Sequence, residues 1–183
     1  MNAICLKTRG GPESLVYEDV PIPQPGEGEA LVAVHAAGVT PTELTWMPTW
    51  TKATGKPRPF PIIPGHEFSG LISSVGHGVA GFSVGDAVFG MNDWFSNGAQ
   101  AEYCLARAAD IATKPLSVEH SLASLTPISA LTAWQEQLAT IAELIDEGKL
   151  KPISGGEFPL REARRAYQQK PIHGKALLDI VHQ

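Results

Sequence analysis

The chain has 183 residues, 43% hydrophobic and 18% charged, with a formal net charge of -5. That balance describes a globular protein large enough to bury a real core, and it excludes a disordered or low-complexity chain. Lys and Arg form no cluster, which excludes a nucleic-acid or anionic-membrane surface as the main function, and the longest apolar run, residues 31–39, is far below membrane-spanning length.

The first 112 residues are predicted to be β-rich, with short Val/Ile/Leu/Phe segments recurring between Gly/Pro turns, as in a barrel or sandwich. Met1–Gly11 is too polar for a secretory leader, and Cys5 and Cys104 form no CxxC pair. Two reduced thiols in a cytoplasmic protein are therefore expected. "EALVAVHAAGV" is predicted to be a strand buried on both faces, entered through the Pro/Gly turn of Pro21–Glu29. Thr49–Pro59 is polar and Pro-rich and is expected to be a surface loop, with Trp46 and Trp50 on its approach.

Further on the pattern turns helical. Ser117 is placed as an N-cap, and Pro127 opens a second helix. Leu138, Ile141, Ala142 and Ile145 recur at helical spacing ahead of Gly148, a stop signal. A single helix over Pro127–Asp146 is compatible with the residues between, since Gln135 and Glu136 favour helix. Pro159 opens a helix with Leu160, Ala163, Ala166 and Tyr167 on one face, and Lys175–Val181 closes the chain as a strand.

Gly76, Gly78 and Gly81 spell G-x-G-x-x-G. A dinucleotide fingerprint must follow a strand and open a helix, so that phosphate meets free N–H groups. A strand does precede these glycines, but "FSVGDAVFG" follows as another short strand, so a hairpin turn is expected here.

In order, "PGHEFSG", "VGHGVAGFSVGDAVFG", "GAQAEYCLARAADIATKP" and "SALTAW" resemble the medium-chain dehydrogenase/reductase superfamily. The likeness resumes in "LIDEGKLKPISGGEFPLREARRAYQQ" and "HGKALLDIV". It implies a mainly β fold with helices: a GroES-like β-barrel substrate domain with C-terminal helices and a closing strand. Members carry a Rossmann domain for NAD(P) between these parts. Here Gln135 runs directly into Glu136, so the resemblance implies that this domain is missing, by excision or natural deletion, with residues 1–135 the substrate domain and 136–183 a segment returning to complete it.

Zinc-dependent members place a Cys where this chain has Thr40 and another where it has Ile128. His66 is left without thiolate partners, and one His with one Glu cannot close a tetrahedral zinc site, so no metal is expected. "GVTPTEL" resembles the corresponding segment of zinc-free quinone reductases. That likeness implies Thr40, Glu43 and His66 as candidate catalytic residues, and Thr40, Thr132 and Lys175 as cofactor contacts. Trp46, Trp50 and Trp94 are candidates for an apolar substrate wall. Residue by residue, plainer roles stay open: a turn hydroxyl, a solvated carboxylate, a buried hydrogen-bonded histidine, ordinary aromatic packing.

The implied function is the substrate domain of an NADPH-dependent, zinc-independent oxidoreductase acting on quinones, enones or activated carbonyls. This chain is expected to be inactive alone, to bind no cofactor tightly, and to self-associate through an exposed former interdomain face around Ile128–Ile145. The alternative is a non-catalytic binding or assembly module on the same barrel.

Overall fold

The structure, a computed structural model, describes residues 1–131, 138–169, 171 and 173–180. It opens with a hairpin of β1 (Asn2–Leu6) and β2 (Leu15–Asp19). A larger sheet follows, made from β3 (Glu29–Gly38), β4 (Glu67–Val75), β5 (Ala87–Met91), β6 (Tyr103–Arg107), β7 (Ile111–Thr113), β8 (Ser154–Pro159) and β9 (Lys175–Asp179). Its helices are α1 (Met47–Trp50), α2 (His120–Ala123), α3 (Pro127–Leu131), α4 (Leu138–Asp146) and α5 (Ala163–Gln168).

β3 is the hub, and its Val/Ala-rich sequence suits a strand buried on both faces. One edge pairs antiparallel with β4; the other is shared, with Glu29–Ala33 on β6 and Ala36–Gly38 on β9. The sheet runs β7-β5-β4-β3-β9-β8, with β6 beside β3. Strand pairing does not close on itself among the described residues, so the sheet is open where a barrel is predicted. β8 and β9 are parallel, joined through α5, and every other pair is antiparallel. Residues 154–179 thus join the sheet begun at residue 29.

Three of the larger apolar clusters among the described residues pack against the sheet. One gathers Ile4, Leu6, Trp50, Ile62, Tyr167 and Leu178 from both ends of the chain. A second lies on the β3–β4 face around Val32, Phe68 and Ile72. The third packs Leu138, Ile141 and Ile145 of α4 on Phe89 and Ala112. The apolar stripe of α4 therefore points inward and is not an exposed face, contrary to the expectation for that stretch.

Gly76, Gly78 and Gly81 lie in the connection between antiparallel β4 and β5, with Gly78 and Gly81 at φ +80° and +83°, as a hairpin turn requires. The predicted cap at Ser117 is displaced: α2 starts at His120 with Glu119 at the cap position, while the Leu116 and Ser117 N–H groups donate to the Asp146 carboxylate. Pro159 ends β8, and a 3-10 turn over Leu160–Glu162 leads into α5. Thr49–Pro59 is not wholly a surface loop, since Thr49, Trp50 and Arg58 are buried. The junction at residues 135 and 136, the continuous helix over Pro127–Asp146 and Thr132 fall at least partly outside the described residues.

Candidate functional site

The site forms where β3 ends. Beyond Gly38 the chain makes a 3-10 turn, Pro41–Thr45, which Pro41 is preorganised to start. That turn directs Glu43 inward until it is 1% exposed. The Gly65 N–H donates to Glu43 Oε1 at 2.7 Å. His66 Nε2 lies 3.5 Å from the same oxygen, at the outer limit of a hydrogen bond. Burial pushes Glu43 up to about 7, against the lowering effect of the Gly65 N–H. Burial also pushes His66 down to about 4, helped by the field of Arg58. Between those values both side chains are neutral, so the close approach is not an ion pair. Thr40 Oγ1, Glu43 Oε2 and His66 Nδ1 are buried without a hydrogen-bond partner in the chain.

Successive residues of a strand face opposite sides, and Glu67, at the start of β4, meets different partners. Its Oε1 accepts from Lys175 Nζ at 2.6 Å and its Oε2 from the Ile128 N–H at 3.1 Å. Burial raises the Glu67 pKa while the Lys175 ammonium opposes it. Gly38 makes the room: a Cβ there would lie 2.2 Å from Glu67 Oε1. Three distant parts of the chain, β4, α3 and β9, thereby meet on one carboxylate.

Trp94 packs beside His66 with ring centroids 5.1 Å apart, and Trp46 meets Trp94 edge-on at 5.4 Å. Two of the three predicted wall residues are thus together next to His66. Trp50 is not among them: its Nε1 donates to the Leu44 carbonyl, and its ring belongs to the core beside Ile4 and Leu6.

The donor set does not suit zinc. Glu67 is committed to Lys175, Thr40 and Ile128 offer no thiolate, and among the described residues no three His, Cys, Asp or Glu side chains converge on a metal position. A nicotinamide cofactor is a partial fit: Thr40 keeps a buried, unpartnered hydroxyl, whereas Lys175 already has a partner in Glu67.

Sequence reasoning missed a second layer. Gln100 Nε2 donates to the Tyr167 hydroxyl at 2.8 Å, and Gly65, at φ +89°, leaves room for the Gln100 side chain. Burial holds the Tyr167 hydroxyl well above its usual range, with the Glu43 field acting in the same direction. Gln100 and Tyr167 are 67 residues apart, and no local pattern joins them.

Comparison with known proteins bears on the fold and the family. The model of the alcohol dehydrogenase GroES-like domain matches residues 26–116. A quinone oxidoreductase of Rattus norvegicus is 41% identical over 117 residues, 63% of this chain and 33% of the relative. Another from Lama guanicoe is 34% identical over 158 residues, 85% of this chain and 46% of the relative. A mycobacterial protein solved in complex with NADPH is 32% identical, with a TM-score of 0.60 over 86% of this chain and 44% of that one. The chain spans less than half the length of these quinone oxidoreductases.

Proposed function

This chain belongs to the medium-chain dehydrogenase/reductase superfamily and carries its GroES-like domain, and from that premise we propose that it is the substrate-binding part of a zinc-independent, NADPH-dependent oxidoreductase. The observation that carries the reading is the Glu67–Lys175 ion pair. It occupies the carboxylate beside His66 with an ammonium group, in a site without thiolates.

The substrate class we infer is a planar activated carbonyl: a quinone or an enone. Trp46 and Trp94 offer flat apolar surface for such a ring. A nicotinamide cofactor, when bound, would supply the hydride. The reduced oxygen or carbon then needs a proton, and Glu43 is suited to hold one because burial keeps it protonated up to about pH 7. His66, neutral above about pH 4, extends the polar path from Glu43 toward Trp94. Thr40 and Lys175 are the cofactor-facing contacts in this reading.

Residues 1–135 and 136–183 act in it as two parts of one substrate domain, and the chain does not turn over NADPH alone. The G-x-G-x-x-G in the β4–β5 connection supports this, since it opens no helix and offers no phosphate cradle. The two buried free cysteines support a reducing, cytoplasmic location.

NADPH titration followed by intrinsic tryptophan fluorescence tests the reading. No saturable change is expected, together with no quinone-dependent NADPH oxidation. Tight binding or robust turnover would overturn the proposal that this chain supplies the substrate side only.

A further inference from the structure

A cavity of about 680 Å³ lies between residues 52–63 and β6, within the range of about 300–1,000 Å³ common for small-molecule sites. None of Thr40, Glu43, His66, Glu67 or Lys175 lines it. Its walls are predominantly apolar, with Pro21, Pro61, Ile63, Phe95 and Leu105 among them.

Set into this wall is Arg58, only 7% exposed. Its Nη1 reaches the carbonyl oxygens of Pro48 and Thr49 at 3.4 Å each, and its Nη2 reaches Asn97 Oδ1 at 3.0 Å. Among the described residues no carboxylate oxygen lies within the 4.0 Å of an ion pair. The carboxylates of Glu43 and Asp93 act on it only from beyond contact distance; a buried guanidinium with no carboxylate in contact is costly, and its planar donors match one.

The strand opposite adds donors. Val34 N–H donates to Glu102 O and Ala108 N–H to Gly28 O, so the even-numbered residues of β6 turn their main-chain groups toward β3. The N–H groups of Tyr103, Leu105 and Arg107 face the other way, along an edge that lines the cavity. Asn92 Nδ2 bonds the Leu105 carbonyl, leaving donors in excess on this edge. Lys52 also lines the cavity, while Arg107 is paired with Asp110. Glu29 and Asp93 line the cavity too, engaged by the N–H groups of Gly26 and Phe95, and they disfavour a dianion.

We propose that this cavity binds a small monocarboxylate with an apolar body, its carboxylate on Arg58 and its hydrocarbon part against the proline, Ile63 and Phe95 walls.

Calorimetric titration of the full chain with octanoate and with octanamide, its neutral analogue, tests this. Octanoate binds saturably at one site, about tenfold or more tighter than octanamide, as expected for a hydrogen-bonded charge pair. Arg58→Gln removes that preference. Ala53→Trp, at an exposed lining position, blocks both ligands with Arg58 intact, so the test stands even if the Arg58 variant misfolds. Amide shifts in Tyr103, Leu105 and Arg107 on adding octanoate locate the site. Equal affinity for the two ligands, no saturable binding of either, or full binding by a folded Ala53→Trp variant would each overturn the proposal.

Discussion

Lys175 Nζ lies 2.6 Å from Glu67 Oε1, joining residues 108 positions apart. Glu67 is fully buried and Lys175 is 20% exposed, so the pair is held between β4 and β9 with only the ammonium reaching solvent. Breaking such a pair leaves a charge without compensation. Lys175→Met should cost roughly 3 kcal/mol, the low end for a buried pair, because Glu67 can take up a proton instead. Glu67→Gln with Lys175→Met should cost clearly less than the two single changes added together. Urea unfolding of the four proteins in a double-mutant cycle measures the coupling. Additive losses would remove the pair from any structural role.

Glu43 and His66 make opposite pH-dependent contributions to stability. Glu43 has its folded value raised from 4.5 to about 7, so the native state holds the extra proton between those values, and stability falls as pH rises through that window. The full effect is roughly 3 kcal/mol above pH 7. His66 has its folded value lowered from 6.5 to about 4, so the unfolded state binds the extra proton, and stability falls as pH drops from 6.5 toward 4. His120 is also held down at about 4, chiefly by burial, and adds to the acid side. The native protein should therefore show a muted profile between pH 5 and 7. Glu43→Gln should steepen the rise of stability with pH in that range, and His66→Gln should flatten it, because His120 and Glu43 then offset each other. Melting temperatures at half-unit pH steps report both.

Gly65 carries two tasks that no other residue combines. Its φ of +89° is a backbone region that L side chains rarely adopt, and its N–H anchors Glu43. A Cβ would fall 2.6 Å from Gln100 Cγ. Gly65→Ala should destabilise by about 1–3 kcal/mol from backbone strain and loosen both Glu43 and the Gln100–Tyr167 bond. Chemical denaturation measures the first effect. The near-ultraviolet signal of Tyr167 reports the second; an unchanged signal would separate Gly65 from the Gln100 layer.

The readable part of this site was local. "PGHEFSG" and "GVTPTEL" bring out His66, Thr40 and Glu43 through the family resemblance, which rests on short contiguous motifs. The pairing of Glu67 with Lys175 is not legible in the sequence, because sheet register brings β9 to β3 and spacing does not encode it. Trp50 was misplaced for a related reason: an aromatic in a polar stretch looks exposed, but β1 and α5 close over it. Arg58 sat in the same polar stretch and gave no local signal of burial.

The apolar stripe of α4 is covered by Phe89 and Ala112, so any self-association must use other residues. Leu116 is 89% exposed and adjoins the end of α4, where its N–H meets Asp146. Ile128 on α3 is partly exposed. An aliphatic side chain so fully in water gains from a partner surface. Light scattering across a wide concentration range should show a dimer that Leu116→Gln shifts toward monomer without lowering the melting temperature, because Leu116 contributes little to the core. A protein monomeric at every concentration would remove self-association from the reading of this fold. A dimer indifferent to Leu116 would move the contact elsewhere on its surface.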